Sequence, residues 1–346
     1  MTSPAHDAVS ADAASSGLDG VADSLRLQAE EHPLIDDAAP RTPAEKTLHL
    51  IHLKAYEEAR RLTADRDVLD VGCNTGYGTV RLVGDARSIT GVDVSAAAID
   101  QARARPGGEH VEFRVIDGLT LPFADGSFDL VTSFQVIEHV TDTASYLREI
   151  KRVLRPGGEV LVTTPNAAIR LDPGMTPWNK FHVREYLADE LRAELEAVFP
   201  VVEVRGLFAV PTLQEIETSR VDEARRYLRR QIAAATSRAA AEERRRAEEA
   251  NPTPPPPPAP QPSATKRLRR SLGRSRVGTA TKVLLGRAPV TRTVVTVAAA
   301  PPVPEPEPVP AVDPDQFGLE DLFFARHDLD RSLDLAAVCR VDPGPA

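Results

Sequence analysis

The sequence predicts an open, doubly wound α/β sheet, and three observations predict it. Short apolar runs of strand length recur at 67–71, 88–92, 111–115, 128–134 and 159–163. Helix-like stretches separate most of them, the rhythm of successive βαβ units. A glycine-rich turn, Gly72 to Gly78, directly follows the first run. The runs are rich in Val, Ile, Leu and Phe without polar alternation, as expected of strands covered on both faces.

The elements follow in chain order. Residues 1–40 are Ala-, Ser- and Asp-rich without periodicity and read as a disordered lead-in; they lack the basic start and apolar block of a secretory signal. The main part of the domain is placed at 41–211. Leu48, Ile51, His52, Ala55, Ala59 and Leu62, spaced three or four apart, predict an amphipathic helix over 42–62. Tyr146, Leu147, Ile150 and Leu154 mark another, stopped by Arg155-Pro156-Gly157-Gly158 before the fifth strand. A sixth strand is expected at 201–210. From 212 to 314 the sheet pattern stops, and this part reads as an insertion. It opens with a charged helix over 215–250 carrying a thin stripe of Val221, Leu228, Ile232 and Ala235. Two proline runs follow, 251–262 and 301–314, which act as semi-rigid spacers. Order returns over 315–342, where Leu335-Ala336-Ala337-Val338-Cys339 is apolar enough to be a last strand rejoining the sheet.

The chain has 346 residues, with 42 Lys and Arg against 51 Asp and Glu, a formal net charge of −9. Two cysteines exclude both a disulfide scaffold and a four-cysteine zinc site, and favour a reducing cytoplasm. The charge is uneven: 220–287 holds 17 basic against six acidic residues, so the rest of the chain is strongly acidic. That acidity opposes phosphate binding and points away from nucleic acid. The basic stretch 264–287, mixed with Leu and Val, suits a solvated segment first, peripheral contact with an anionic membrane surface second, and nucleic acid third, since it lacks interleaved aromatic residues.

The chemistry is read from successive strand ends. Gly72 and Gly76 let the backbone pass close to a ligand, and Asn74, tolerant of positive φ, replaces a third glycine between them. Asp93 ends the second strand where a carboxylate accepts from two ribose hydroxyls. Asp117-Gly118 follows the third strand. Any one of Asp70, Asp93 and Asp117 reads equally well as a turn cap. Three at successive strand ends beside a glycine loop mark the ligand-binding edge of an open sheet. His139, after the fourth strand, and His182, after the fifth, are candidate general bases that adjoining strand ends bring together, with Glu138 beside them. Trp178 lies in a Pro- and Gly-broken loop, placed either to stack on an acceptor or to anchor that loop. Cys339 reads as core.

Together these segments resemble the class I S-adenosylmethionine-dependent methyltransferases, in the branch with a Gln135-Val136-Ile137-Glu138-His139-Val140 motif and a His182-Val183-Arg184-Glu185-Tyr186 segment. The resemblance implies a Rossmann-like sheet of seven mostly parallel strands with the last antiparallel. It implies that Gly72, Cys73, Asn74 and Gly76 cradle the methionine part of S-adenosylmethionine and that Asp70 lies near its amino group. It places the ribose on Asp93, with Val94 beside it, the adenine between Asp117 and Gly118, and Gln135 over the donor. In some relatives this layout holds a divalent metal, which would involve Gln135, Glu138, His139 and His182. The acceptors it implies are a saccharide or glycan hydroxyl first and a secondary-metabolite or quinone-type molecule second. A non-catalytic nucleoside-binding protein is the reading from another class.

Overall fold

The computed structural model describes residues 24–25, 27–32, 34, 42–250 and 316–344. The chain divides into two compact units, Met1–Ile232 with Val309–Ala346, and Ala233–Pro308. The proline runs and the basic stretch 264–287 lie outside the described residues. Of the second unit, 233–250 is helical, with exposed side chains as far as 247.

The first unit is built on one eight-stranded sheet: β1 (Asp67–Val71), β2 (Ser88–Asp93), β3 (Glu112–Val115), β4 (Phe128–Phe134), β5 (Leu154–Pro165), β6 (Val201–Ala209), β7 (Leu322–Ala325) and β8 (Asp334–Arg340). Their spatial order is β3-β2-β1-β4-β5-β8-β6-β7. Strands β1 to β5 pair in parallel, and β8 runs antiparallel to both β5 and β6. The antiparallel last strand is therefore as expected, but there are eight strands, not seven. The extra one, β7, pairs with β6 at the sheet edge. It has four residues, of which only Leu322 is fully buried, so its alternation is too short to announce a strand.

Neighbouring residues on the strands feed opposite faces, as the pleat requires. Leu69, Val131 and Val162 enter one core with Ile150 and Leu191; Val68, Leu130 and Leu161 enter the other with Tyr56 and Ile99. Helices α1 (Pro43–Arg60), α2 (Ala96–Ala104), α3 (Thr143–Val153) and α5 (Ala188–Glu196) cover these faces, while the single turn α4 (Ala167–Arg170) and the start of α6 (Pro211–Ala250) meet α1 at a third core with Leu50, Ile51, Leu213 and Ile216. Helix α1 begins with a capping box: Thr42 Oγ1 accepts from Glu45 N at 3.2 Å, and Glu45 Oε2 accepts from Thr42 N at 3.1 Å. The Pro-Gly-Gly stop ends α3 as expected, yet β5 already starts at Leu154 and runs through it with a register shift opposite Phe128 and Leu130. The start of α6 is not a detached surface helix, since Leu213, Ile216 and Val221 are buried. Nor is the lead-in wholly irregular: residues 24–25 and 27–31 are helical. Among the described residues, no helix is long and apolar enough to cross a membrane.

The order in which strands are added reverses between β1 and β4, which run parallel, and there the sheet is tied by one buried carboxylate. Asp70 accepts from Thr79 Oγ1 at 2.6 Å, Thr132 Oγ1 at 2.7 Å and Tyr56 Oη at 3.2 Å. Burial outweighs these three bonds and pushes its pKa up to about 6 from 3.8. The folded chain thus holds this proton more tightly than the unfolded one. The associated stability is full below about pH 4 and is lost as the pH rises through about 6, roughly 2–3 kcal/mol in all. We predict that the melting-temperature difference between Asp70→Asn and wild type moves by several degrees in the variant's favour between pH 4.5 and 7.5. Calorimetry across that range checks this, and a pH-independent difference contradicts it.

Candidate active site

The ends of β1, β2, β3, β4 and β5 open onto one cavity of about 760 Å³. At one end the turn after β1 forms its floor. Gly72 has φ +76°, and a Cβ there would collide with Val136 at the end of β4, so only glycine lets the two strand ends close together. Asn74 holds φ +46°, as its identity allows, and its backbone N–H donates to Asp93 Oδ2 at 2.9 Å. Asp93 Oδ1 accepts from Ser95 N at 2.8 Å. One carboxylate thus shapes the glycine turn and holds Ser95, the residue that caps α2, while it faces the cavity beside Val94. Next come Ile116, Gly118 and Leu121, an apolar part of the cavity wall.

The expected donor residues separate into two groups. Gly72, Asn74, Asp93, Val94, Gly118 and Gln135 line the cavity. Asp70, Cys73, Gly76 and Asp117 do not. Asp70 lies beneath the loop in its hydroxyl cage, so it supports the loop instead of facing an amino group. Cys73 is buried against the sheet, and burial raises its thiol pKa well above the ordinary value. Gly76 turns the backbone at φ +70°. Asp117 accepts from Leu119 N and Thr120 N at 2.8 and 3.0 Å, the turn-cap role that was its alternative.

At the other end the structure brings Glu138, His139 and His182 together, with a ligand-type atom of each within 4.8 Å of the others. The convergence is built by backbone: Glu138 O accepts from Val183 N at 2.7 Å and from Arg184 N at 3.2 Å, which draws the His182 loop in. The two imidazoles meet edge to face, with centroids 4.8 Å apart. His139 Nδ1 bonds Phe181 O at 2.8 Å, and His182 Nδ1 bonds Glu185 Oε1 at 2.7 Å. With each Nδ1–H donated, both Nε2 lone pairs are left for a ligand. Burial drives His139 down to about 3, so it stays neutral at ordinary pH. Glu138 Oε2 accepts from Thr164 Oγ1 at 3.0 Å, whereas Oε1 is buried without a partner, and burial pushes this carboxyl up to about 8. Gln135, at φ +57°, donates from its amide nitrogen to Asp334 Oδ2 at 2.9 Å and Thr163 Oγ1 at 3.3 Å. Both bonds engage its amide nitrogen and leave its amide oxygen out of them.

Several wall residues carried no signal in the sequence. His52 and Tyr56 come from α1, Glu217 and Arg220 from α6, and Asp334 from β8. The helical residues near the N-terminus add Leu25, packed on Gly118, and His32, whose ring lies 5.1 Å from that of His139. Gln28 Nε2 donates to Phe181 O at 3.0 Å, and Lys180 pairs with Glu31 at 2.9 Å, so both flanks of this segment are fastened. Only capping Asp and Glu patterns or glycine turns can be read locally; these side chains meet through tertiary packing. Trp178 lines the cavity and also anchors its loop, with the Arg170 guanidinium 4.3 Å from its ring centre.

Residues 69–162 match the family described as a methyltransferase domain. With the glycine turn at the reversal point and Asp93 beyond it, this part of the chain has the features of a class I S-adenosylmethionine-dependent methyltransferase domain, a class whose cofactor is S-adenosylmethionine. A probable S-adenosylmethionine-dependent methyltransferase of Mycolicibacterium smegmatis is 42% identical over 168 residues, covering 48% of this chain and 64% of that protein. The chain thus spans somewhat less than two thirds of that relative. A ubiquinone biosynthesis O-methyltransferase of Pseudomonas paraeruginosa is 36% identical over 106 residues, 30% of this chain and 46% of that one. Among solved structures, the [4+2]-cyclase SpnF is 26% identical with a TM-score of 0.42, over 66% of this chain and 84% of that chain.

The two aspartates after β2 and β3 are therefore expected to behave differently. Asp93→Ala removes a carboxylate that faces the cavity and loosens the glycine turn, so affinity for S-adenosylhomocysteine is expected to fall about tenfold or more. Asp117→Ala, off the cavity wall, stays within about twofold of wild type. Titration calorimetry of the two variants decides, and equal losses contradict the assignment.

Proposed function

We propose that the chain transfers the methyl group of S-adenosylmethionine to an acceptor oxygen, with a hydroxyl of a saccharide or glycan as the acceptor favoured. The observation that carries this reading is a shared cavity: the glycine turn and Asp93 face the same space as Glu138, His139 and His182. The reaction breaks the sulfonium–methyl bond and forms an oxygen–methyl bond, so the acceptor must be held in line and its hydroxyl proton removed. His182 is arranged for that proton. Its Nδ1–H is donated to Glu185, itself held by Arg170 Nε at 2.9 Å, which presents a basic Nε2 to the cavity. His139, pushed so low by burial, does not compete for it. Trp178 and the polar wall beyond it suit a ring bearing hydroxyls.

The same cluster also fits a divalent cation. The partnerless Glu138 Oε1 and the two anchored imidazoles supply one carboxylate and two neutral nitrogen donors, each histidine oriented by a second hydrogen bond. A bound cation there would orient the acceptor hydroxyl and lower its pKa. Likeness to the ubiquinone biosynthesis O-methyltransferase supports an oxygen acceptor and makes a small quinone-type or secondary-metabolite molecule the second reading.

Release of S-adenosylhomocysteine over a panel of sugars, glycans and phenols tests the activity. Binding of the donor with no turnover on any acceptor would favour a non-catalytic role. His182→Ala is expected to lower kcat by about 10²–10⁴ with little change in donor affinity. Dialysis against EDTA separates the two modes. Activity lost and then restored by Mg²⁺ or Mn²⁺ assigns the cation; full activity in excess EDTA assigns the proton to the His182–Glu185 pair alone.

A further inference from the structure

On the wall shared by α4, α6 and β8, four charged side chains converge from distant parts of the sequence: Arg170, Glu217, Arg220 and Asp334. Three are almost fully buried, Arg170 at 8%, Glu217 at 4% and Asp334 at 9% exposure. Burying such groups is costly, and an apolar wall of the same volume would serve stability at least as well. Arg170 Nε is held by Glu185, and Arg220 grips Glu217 through Nε and Nη2 at 2.8 and 2.5 Å. Asp334 offers only Oδ2 to Gln135. A guanidinium carries five N–H donors, so these bonds leave donors on both arginines, and one Asp334 oxygen remains as acceptor. Among the described residues Asp334 has no ion-pair partner, and Gln135, which grips it, stands on the donor side of the cavity.

The charge balance of the wall narrows what it takes. Arg170 pairs with Glu185 and Arg220 with Glu217, and burial holds the third carboxyl, Asp334, up to about 7, so the wall is close to charge balance. An added anion meets the carboxylates, and an added cation meets the two guanidiniums. A neutral ligand that both donates and accepts hydrogen bonds meets neither penalty. We infer that Arg170, Glu217, Arg220 and Asp334 form the acceptor subsite, and that it takes an uncharged, hydroxyl-rich ring in preference to a phosphorylated, carboxylated or amino-bearing one. This rests on the methyltransferase reading and adds to it where the acceptor lies and what charge it carries.

The test uses the full chain saturated with S-adenosylhomocysteine, probed by saturation-transfer NMR with the methyl glycosides of glucose, mannose and galactose, and with glucose 6-phosphate and glucosamine. At least one neutral glycoside is expected to bind more tightly than either charged sugar. Glu217→Gln combined with Arg220→Gln removes the pair without stranding one buried charge. It is expected to weaken the glycoside about tenfold while the calorimetric affinity for S-adenosylhomocysteine stays within about twofold, which also reports that the variant is folded. Asp334→Asn, of equal volume, provides a second variant with the same expectation should the first not fold. Glucose 6-phosphate binding as well as the best glycoside overturns the inference, as does the absence of binding by all three glycosides. A variant with the wild-type circular dichroism spectrum and melting transition that loses S-adenosylhomocysteine assigns these residues to the donor and also overturns it. A wild-type chain that does not bind S-adenosylhomocysteine defeats the methyltransferase reading itself.

Discussion

The architecture of the site depends on one buried carboxylate at the point where the sheet reverses direction. Asp70 ends no strand and touches no part of the cavity, yet its bonds to Tyr56, Thr79 and Thr132 tie together α1, the turn after the glycine loop, and β4. The glycine loop must leave the sheet at that place for Asp93 to reach Asn74 N, and Gly72 must lie against Val136. A charge so placed is kept at a cost in stability because it fixes the relative height of two strands. The donor end of the cavity inherits its rigidity from this bond set.

The acceptor end is built differently. There the groups are carried by turns and by elements far apart in sequence, and each is held by a second partner: His139 by Phe181 O, His182 by Glu185, Glu185 by Arg170, Gln135 by Asp334. Such a chain of paired polar groups holds its members within hydrogen-bond tolerance only while every member is present. A rigid donor half and a networked acceptor half suit a fold whose members share a donor and differ in what they methylate.

Much of this was legible in the sequence. The strand runs, the glycine turn, Asp93 and the convergence of His139 with His182 follow from apolar patterning and from strand ends that must be neighbours. Asp117 shows the limit: its spacing fits an adenine contact, while its oxygens serve Leu119 N and Thr120 N. A carboxylate at a strand end has both uses, and spacing cannot choose between them. β7 escaped because four residues with one buried side chain carry no period. His52, Glu217, Arg220 and Asp334 escaped because nothing local marks a residue whose importance comes from a cavity wall assembled out of elements far apart in sequence. The helical residues near 24–31 escaped because their order comes from contacts with Gly118, Phe181 and Lys180, which a composition rich in Ala, Ser and Asp does not reveal.

The position of β8 has a consequence for how the molecule is made. It is the last strand in sequence but lies between β5 and β6, pairing along seven residues with each. Until it arrives β6 has no route into the sheet, β5 ends it with an open edge, and Asp334 is missing from beside Gln135. A nascent chain can therefore assemble β1 to β5 with the glycine turn early, whereas β6 and the Asp334 wall of the cavity wait until residues 334–340 have emerged. A chain interrupted within β8 would keep the Gly72–Asp93 end of the cavity and lose the opposite wall.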